Sequence, residues 1–493
     1  MFEKITPEAA GISSRKIAKV LAKIQDHGIP MHSLVMMRGD KIFGEYYWAP
    51  FDKDTPHRMY SATKSYTALA IGLLIDDGKL SLDDKIVELF PEKIHSELSP
   101  FVENLTVREM LTMSTTGNGP SWFTLCDPDR TEIYFNNKKF NPHPSGTVWQ
   151  YDSAGSQVLG ALVDKLAGKP LFDYLNERIF SHLGTFKNAS MLKTRNGDSW
   201  GDSALIATAR DAASVVLLLM RGGKWEDKQL ISESFVKDAI SPLVANSREA
   251  QTRILSHGYG YQIWCSKRGG FAFNGMGTQI TIGLPGDDII FSINADTQGF
   301  FDAIFEELLL SWLFELLDDY TGEALPEDTE GEALLCEASH DLQLFALSGI
   351  DNPTLKDKIN GVTYICNENA MGITEFTLSF GDGEGTLRYV NEQGEKILPF
   401  GINKNVFGRF PELGYSQDLG GLKTTDGSTY ADAVSAAFLD ANKLRIHVQI
   451  IDRYLGHVTM VFAFRDDYVT LEATKCGEDF LAEYEGLAVG KKK

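Results

Sequence analysis

The chain has 493 residues, of which 43% are hydrophobic and 23% are charged, an ordinary composition for folded globular domains. Its 68 acidic residues outnumber its 47 basic residues, so the formal net charge at pH 7 is −21. This charge disfavours nucleic acid and anionic membrane surfaces as partners, because both would repel the protein.

The predicted elements of the first part of the chain mix strands and helices. Two β runs around Gly39-Asp40, within residues 34–48, predict a hairpin. Residues 61–77 are apolar almost all round and are followed by Gly78, which is typical of a buried helix. Capping signals and periodicity predict further helices at residues 106–113, 154–167, 209–221, 232–240 and 301–317, and two strands within residues 271–295 joined at Pro285.

The composition changes after the last of these helices. Residues 318–337 are acidic, and we expect a linker at 321–344. From about residue 361 to residue 471, short runs rich in Thr, Val, Phe and Tyr alternate with Gly, Asn and Asp turns, which is typical of an antiparallel barrel or sandwich. The sequence therefore predicts an α+β domain over residues 1–320 and an all-β domain over residues 345–493.

The cysteines and the first residues bear on the cellular compartment. Five scattered cysteines without a Cys-x-x-Cys pair predict neither a disulfide framework nor a zinc ribbon. The first residues contain no apolar signal-peptide core, and the longest apolar runs are too short to span a bilayer. We expect a cytoplasmic protein, and no pattern in the sequence implies a metal or a cofactor.

Two kinds of serine-nucleophile pattern compete. Residues 197–201 match G-x-S-x-G around Ser199, but polar loop residues flank them where a strand and a helix are required. The pattern S-x-x-K occurs three times, and the copies that begin at Ser13 and Ser234 fall in charged, surface-type helices. An α/β-hydrolase that uses Ser199 is therefore the weakest of the possible enzymes.

The third copy, Ser61 with Lys64, opens the predicted buried helix. One helical turn places both side chains on the same face, with the lysine amine near the serine oxygen. Desolvation and the helix N-terminus both disfavour the ammonium form, which helps a lysine to act as a base, and the Ser61 N–H can face a developing oxyanion. Ser61 is therefore the candidate nucleophile.

The residues around this pair resemble a known family. The run Tyr-Ser-Ala-Thr-Lys-Ser-Tyr-Thr at residues 60–67, followed by residues 76–84 and 105–114, is similar to the class C β-lactamase-related serine hydrolases. That superfamily includes penicillin-binding proteins, esterases and D-amino-acid peptidases, and the resemblance runs from about residue 10 to residue 320. It implies a β-lactamase/transpeptidase-like fold, in which an antiparallel sheet is flanked by helices.

A second segment, residues 144–153, resembles the part of the family that carries a Y-x-N motif. The resemblance puts Tyr151 in the position of the tyrosine that shares base duty with Lys64. The third motif residue is Ser153 instead of Asn. Two roles remain open for Ser153: an N-cap of a helix that begins at Ala154, and a contact with Lys64.

The third family element, K-T-G or H-x-G, has no literal match. Residues 274–279 resemble the Gly-rich strand of the peptidase and amide-hydrolase branches, which makes the Gln279 backbone N–H the second oxyanion donor, within one or two residues. Gly275, Met276 and Gly277 would then lie beside the substrate. Neither Lys nor His is present there to bind a substrate carboxylate, which argues against β-lactamase activity.

Several aromatic residues are candidates for the pocket or for plain core packing: Trp122, Tyr259 and Trp264. For His57, close ahead of Ser61, we expect a structural role. The resemblance also makes the tail a lipocalin-like barrel. The expected function is hydrolysis of a small-molecule ester or amide through an acyl-enzyme on Ser61. A penicillin-recognising β-lactamase or DD-peptidase and a non-catalytic ligand-binding protein remain alternatives, and the sequence leaves the oligomeric state open.

Overall fold

The structure is a computed structural model that describes residues 2–117, 129–137, 141–194, 196–246, 252–299, 302–412, 427–477 and 481–493. These residues divide into two units, 2–343 and 344–493. Trp122 and Cys126 lie outside the described residues.

The first unit is an α+β domain. Its strands are β1 (Glu3–Lys4), β2 (Met31–Arg38), β3 (Lys41–Tyr47), β4 (His57–Arg58), β5 (Ser190–Met191), β6 (Leu205–Ala207), β7 (Lys224–Trp225), β8 (Lys228–Gln229), β9 (Trp264–Ser266), β10 (Gly270–Gly275), β11 (Gln279–Leu284) and β12 (Ile289–Ala295). Its helices are α1 (Ser14–Asp26), α2 (Thr63–Asp76), α3 (Ile86–Leu89), α4 (Val107–Leu111), α5 (Arg130–Asn136), α6 (Ser153–Ala167), α7 (Leu171–Leu175), α8 (Ser181–Leu183), α9 (Ala209–Met220), α10 (Glu233–Ala239), α11 (Asp302–Glu315) and α12 (Thr329–Ser339).

A seven-stranded sheet with the order β1-β3-β2-β12-β11-β10-β9 forms the centre of this unit. All neighbours in it are antiparallel except β1 and β3. Strand β2 has apolar residues on both faces because each face packs against a different core. Leu34 and Met36 join the core with α1 and α11, whereas Val35 and Met37 join the core with α2 and α9. The sheet is therefore covered by helices on both faces, and the predicted fold class is confirmed.

Local sequence signals explain most of the helices. Thr106 and Thr208 both form capping boxes, with Glu109 and Asp211 respectively. Helix α2 is buried along nearly its whole length, as its apolar composition predicted. Gly78 follows it with a φ of +68°, a backbone conformation that glycine adopts without strain.

Two segments differ from the expectation. Residues 271–295 hold parts of three strands instead of two, because an extra turn at residues 276–278 separates β10 from β11. Gly277 and Thr278 both have left-handed φ values, +73° and +68°, in this turn. In the segment expected to be a linker, residues 329–339 form α12, whose Leu335 packs in the same core as α1.

The second unit is a separate β-barrel, preceded by helix α13 (Pro353–Ile359). Its strands are β13 (Val362–Cys366), β14 (Glu375–Phe380), β15 (Glu384–Asn391), β16 (Gly394–Ile402), β17 (Val406–Arg409), β18 (Ala431–Asp440), β19 (Lys443–Ile451), β20 (Leu455–Arg465), β21 (Tyr468–Gly477) and β22 (Gly486–Lys492). Nine of them close the barrel in the order β16-β15-β14-β13-β22-β21-β20-β19-β18. The closing contact is a short parallel pairing of β16 with β18, while the other barrel pairs are antiparallel.

Within the described residues, no helix is both long enough and apolar enough to cross a membrane.

Candidate active site

Ser61 lies in a short 3₁₀ turn, Tyr60–Ala62, that leads directly into α2. Tyr60 has a φ of +44°, an unusual conformation for a bulky residue. Its buried ring lies 4.7 Å from the Arg58 guanidinium, which packs against it. The turn leaves Ser61 partly exposed at the start of a helix that is otherwise buried.

Lys64 lies one turn further on and is buried. Its Nζ is 2.9 Å from the Ser61 Oγ and donates to the Asp202 carbonyl oxygen at 2.8 Å. The same Nζ lies 3.9 Å from the Asp202 carboxylate and 5.1 Å from the centre of the Tyr151 ring. The fold therefore brings Ser61, Lys64 and Tyr151 together, as the sequence predicted, and adds Asp202.

The segment that contains Asp202 is held firmly against α2. The Thr67 hydroxyl donates to the Gly201 carbonyl at 2.6 Å, and the Leu205 N–H donates to the Thr63 hydroxyl at 3.0 Å. A side chain on Gly201 would overlap the backbone of α6 at Gly160, so only glycine permits this approach. The position of Asp202 beside Lys64 is thus fixed on both sides.

Asp152, and not Ser153, caps α6. The Asp152 carboxylate accepts from the Gly155 N–H at 3.0 Å and from the Thr115 hydroxyl at 2.8 Å, whereas Ser153 is the first helical residue. Complete burial raises the pKa of Asp152 to about 6, despite these hydrogen bonds. Asp152 also accepts from the Tyr134 hydroxyl at 3.3 Å, so Tyr134 belongs to this cap. The expected N-cap at Ser153 was therefore wrong by one residue, and the described contacts of Lys64 do not include Ser153.

The Gly-rich element begins where β10 ends. A Cβ on Gly275 would overlap the Met59 carbonyl oxygen and lie 3.1 Å from the Ala62 nitrogen, so the strand touches the Ser61 turn backbone to backbone. Met276 and Gly277 follow in the turn. Gln279 is fully buried, and its side-chain amide donates to the Gly277 carbonyl at 3.1 Å, which holds the turn in place.

Strand β9 pairs with β10 only as far as Ala272, opposite Trp264. Beyond that pair, β10 contributes Phe273, Asn274 and Gly275, none of which is charged. Asn274 is buried, and its amide donates to Glu306 at 3.3 Å. The end of β10 therefore contains no lysine, arginine or histidine.

An aromatic cluster stands beside the site. Trp264 is buried, and its ring stacks on Tyr151 with 5.7 Å between ring centres. Trp149 and Tyr259 pack edge-on against Trp264 at 5.7 and 5.1 Å. Trp264 thus supports the side of Tyr151, and Tyr259 is buried behind it.

The competing serine has a structural environment. Ser199 is buried, its N–H donates to the Asp164 carboxylate at 2.7 Å, and its hydroxyl accepts from the Leu171 N–H at 3.1 Å. His57 is also buried and lies 2.9 Å from His32, ring nitrogen to ring nitrogen. Burial lowers the pKa of His57 to about 4, so this ring is neutral near pH 7.

A protein-family model described as Beta-lactamase matches residues 16–308, more than half of the chain. The chain belongs to the Beta-lactamase family. It is 24% identical over 276 residues to the 6-aminohexanoate-dimer hydrolase of Paenarthrobacter ureafaciens, a match that covers 52% of this chain and 68% of that protein. It is 26% identical over 193 residues to Esterase EstB of Burkholderia gladioli, covering 35% of this chain and 47% of the esterase.

Solved structures extend this likeness to the fold. The D-amino acid amidase from Ochrobactrum anthropi SV3, complexed with L-phenylalanine, matches with a TM-score of 0.50 and 16% sequence identity. That match covers 62% of this chain and 98% of the amidase. As a Beta-lactamase family member with amide and ester hydrolases among its relatives, the chain is a hydrolytic enzyme.

Asp202 was not among the predicted site residues. This residue is 138 positions from Lys64 and belongs to none of the three motifs. Its one sequence signal is an acidic residue within a run of small residues just before the buried strand β6, which alone does not indicate a partner.

Proposed function

We propose that the protein is a serine hydrolase that cleaves a small ester or amide through an acyl-enzyme on Ser61. The observation that carries the proposal is the 2.9 Å contact between the Lys64 Nζ and the Ser61 Oγ, with Tyr151 beside the same lysine. A buried lysine next to a partly exposed serine is the arrangement that nucleophile activation requires.

In the proposed reaction, the Ser61 Oγ attacks the substrate carbonyl carbon while its proton passes to the Lys64 and Tyr151 pair. The carbonyl oxygen becomes an oxyanion that the Ser61 N–H stabilises. The tetrahedral intermediate then collapses, and the leaving group takes the proton. Water attacks the acyl-enzyme by the same steps and regenerates Ser61.

Antiparallel pairing identifies the backbone groups of β10 that are available to an oxyanion. Cys265 in β9 directs its backbone away from β10, because its N–H donates to Gly258 at 2.9 Å and its carbonyl accepts from His257. Cys265 lies opposite Phe271, so Phe271 must direct its own backbone groups toward β11. The pairing of β10 with β11 has no register shift, so Gly275, four residues on, does the same.

This alternation bears on the second oxyanion donor. Gln279 lies opposite Gly275, so its N–H is directed into the ladder between β10 and β11. Met276 is the residue after Gly275, so its N–H is directed away from β11, beyond the end of β9. We therefore assign the second oxyanion donor to the backbone N–H of Met276, three residues before the predicted Gln279.

The charge of the Gly-rich element argues for the class of substrate. A β-lactam or a peptide C-terminus brings a carboxylate, and the end of β10 beyond β9 carries no cation to bind it. Neutral esters, or amides that present a free amine to this acidic protein, fit the element better. The β-lactamase or DD-peptidase alternative is accordingly disfavoured.

The test is labelling with a fluorophosphonate probe, followed by mass spectrometry of the adduct. We expect one adduct on Ser61, none in Ser61→Ala, and full labelling of the matched control Ser199→Ala. Wild type should also hydrolyse members of a panel of p-nitrophenyl esters and of D- and L-aminoacyl amides. An adduct on Ser199 would favour the α/β-hydrolase alternative, and no adduct with no turnover would favour a ligand-binding protein.

A further inference from the structure

A buried carboxylate that none of the family motifs contains lies beside the lysine of the proposed site. The side chains of Asp202 and Lys64 are only 2% and 1% exposed. One Asp202 carboxylate oxygen, Oδ1, has no hydrogen-bond partner in the part of the chain that the structure describes. Its other oxygen, Oδ2, lies 3.9 Å from the Lys64 Nζ. A buried charge in such a setting is costly unless an opposite charge stabilises it.

We propose that Asp202 is a positioning residue whose carboxylate holds the Lys64 Nζ against Ser61 and pairs with the ammonium that forms when Lys64 accepts the Ser61 proton. The proposal rests on the function proposed above. The Lys64 Nζ lies 2.9 Å from the Ser61 Oγ and 2.8 Å from the Asp202 carbonyl oxygen, and it forms an ion pair with the Asp202 carboxylate at 3.9 Å. One residue thus supplies both a backbone acceptor and the ion-pair partner of Lys64.

The contacts of the Asp202 carboxylate differ from those of carboxylates that only support the fold. Carboxylates that serve the fold of this unit accept backbone N–H groups: Asp152 accepts from Gly155, and Asp164 accepts from both Leu171 and Ser199. No such bond to Asp202 is found among the described residues, where its carboxylate has the Lys64 ammonium as its ion-pair partner. The hydrogen bond from the Thr67 hydroxyl to the Gly201 carbonyl already anchors this segment. The Asp202 carboxylate is therefore not needed to hold the segment in place.

Other charged groups of the surrounding elements enter the pH dependence. Tyr151 faces Lys64 across 5.1 Å, and Asp152 follows it in the chain with a pKa of about 6. Arg58, on β4, donates to the Ser203 carbonyl at 3.0 Å, next to Asp202. Loss of the Asp202 charge removes the ion-pair partner of Lys64 but leaves these other groups in place. A limb of the pH profile that Asp152 sets would therefore not move.

The experiment measures the rate of fluorophosphonate labelling of Ser61 from pH 5 to pH 10, in the full chain. In Asp202→Asn, we expect the pH profile of labelling to move to lower pH by about one to three pH units, the effect of removing an opposite charge about 4 Å away from the proposed base. Asp164→Asn is the matched control, because it removes a buried carboxylate of the same unit that holds backbone N–H groups. It should leave the profile unshifted.

The outcomes separate the two proposals. If wild type is not labelled at Ser61, the proposed function itself fails. If Asp202→Asn is labelled with the wild-type profile, the function stands and the role of Asp202 is overturned. If Asp202→Asn does not fold, Asp202→Ser gives the same test, because a small residue leaves room for water. If neither variant folds while Asp164→Asn does, Asp202 serves the fold, and the proposal is overturned.

Discussion

The contact of Gly275 with the Ser61 turn gives the sharpest prediction. In Gly275→Ala the added methyl would meet the Met59 carbonyl, and both partners are backbone, so no side-chain rotation relieves the overlap. The two segments must separate by roughly 1 Å, a displacement that can cost about 100-fold in rate when it misplaces reacting groups. Overpacking of this kind also lowers the free energy of unfolding by about 1–3 kcal/mol.

The assay compares fluorophosphonate labelling per folded molecule with thermal unfolding in three variants. Gly270→Ala is the destabilised control, since its methyl would lie 2.7 Å from the Gly283 carbonyl at the other end of β10. Gly286→Ala is the neutral control, because nothing lies within 4 Å of its methyl. We expect Gly275→Ala to lose both stability and labelling rate, Gly270→Ala to lose stability alone, and Gly286→Ala to lose neither. Wild-type labelling of Gly275→Ala would refute the claim that β10 constrains the Ser61 turn.

Four further predictions concern the mechanism, the electrostatics and the second unit. Lys64→Ala and Tyr151→Phe should each lower ester turnover by about 100-fold or more, measured as kcat/KM relative to wild type on the same p-nitrophenyl ester, because each removes a member of the proposed proton-transfer pair. The raised pKa of Asp152 means that the folded chain holds a proton that the unfolded chain has lost between about pH 4 and pH 6. The free energy of unfolding therefore falls over that range, by about 3 kcal/mol in all for this group, of which about 2 kcal/mol lies between pH 4.5 and pH 7.5, and Asp152→Asn should remove that part of the fall in urea titrations at those two pH values. A chromogenic cephalosporin should be hydrolysed at least about tenfold more slowly than the best neutral ester, and efficient hydrolysis would mean that a cation elsewhere binds the carboxylate. Residues 344–493 expressed alone should unfold in one cooperative transition in calorimetry, and a non-cooperative melt would make the barrel dependent on the first unit.

Many of the features predicted from the sequence depend on local signals. The capping boxes at Thr106 and Thr208, and the pairing of Ser61 with Lys64, depend on residues three apart, so spacing alone predicts them. Asp152 and Ser153 are both good N-cap residues, and only the surrounding fold, which offers hydroxyl donors to Asp152, decides between them.

Other features depend on tertiary contacts that spacing does not contain. The turn after Gly275 places Thr278 at a φ of +68°, which threonine rarely adopts, so composition gave no reason to divide the strand there. Asp202 reaches Lys64 across 138 residues of chain. The acidic composition near residue 330 suggested a linker, whereas Leu335 anchors a helix there. The lipocalin-like character of the barrel stays a prediction.

The strand order of the first unit has a consequence for how this enzyme becomes active during synthesis. Strand β2 pairs with β12, so the central sheet joins residues 31–38 to residues 289–295, and the helices between them emerge first. The β2–β3 hairpin and the β10–β11–β12 meander can form locally, but they meet only after a loop of some 250 residues has closed. Since Gly275 reaches the Ser61 turn only with that meander, the Ser61 turn has no complete surroundings until most of the first unit has left the ribosome. The Ser61–Lys64 pair of a nascent chain is therefore not yet held in its folded geometry.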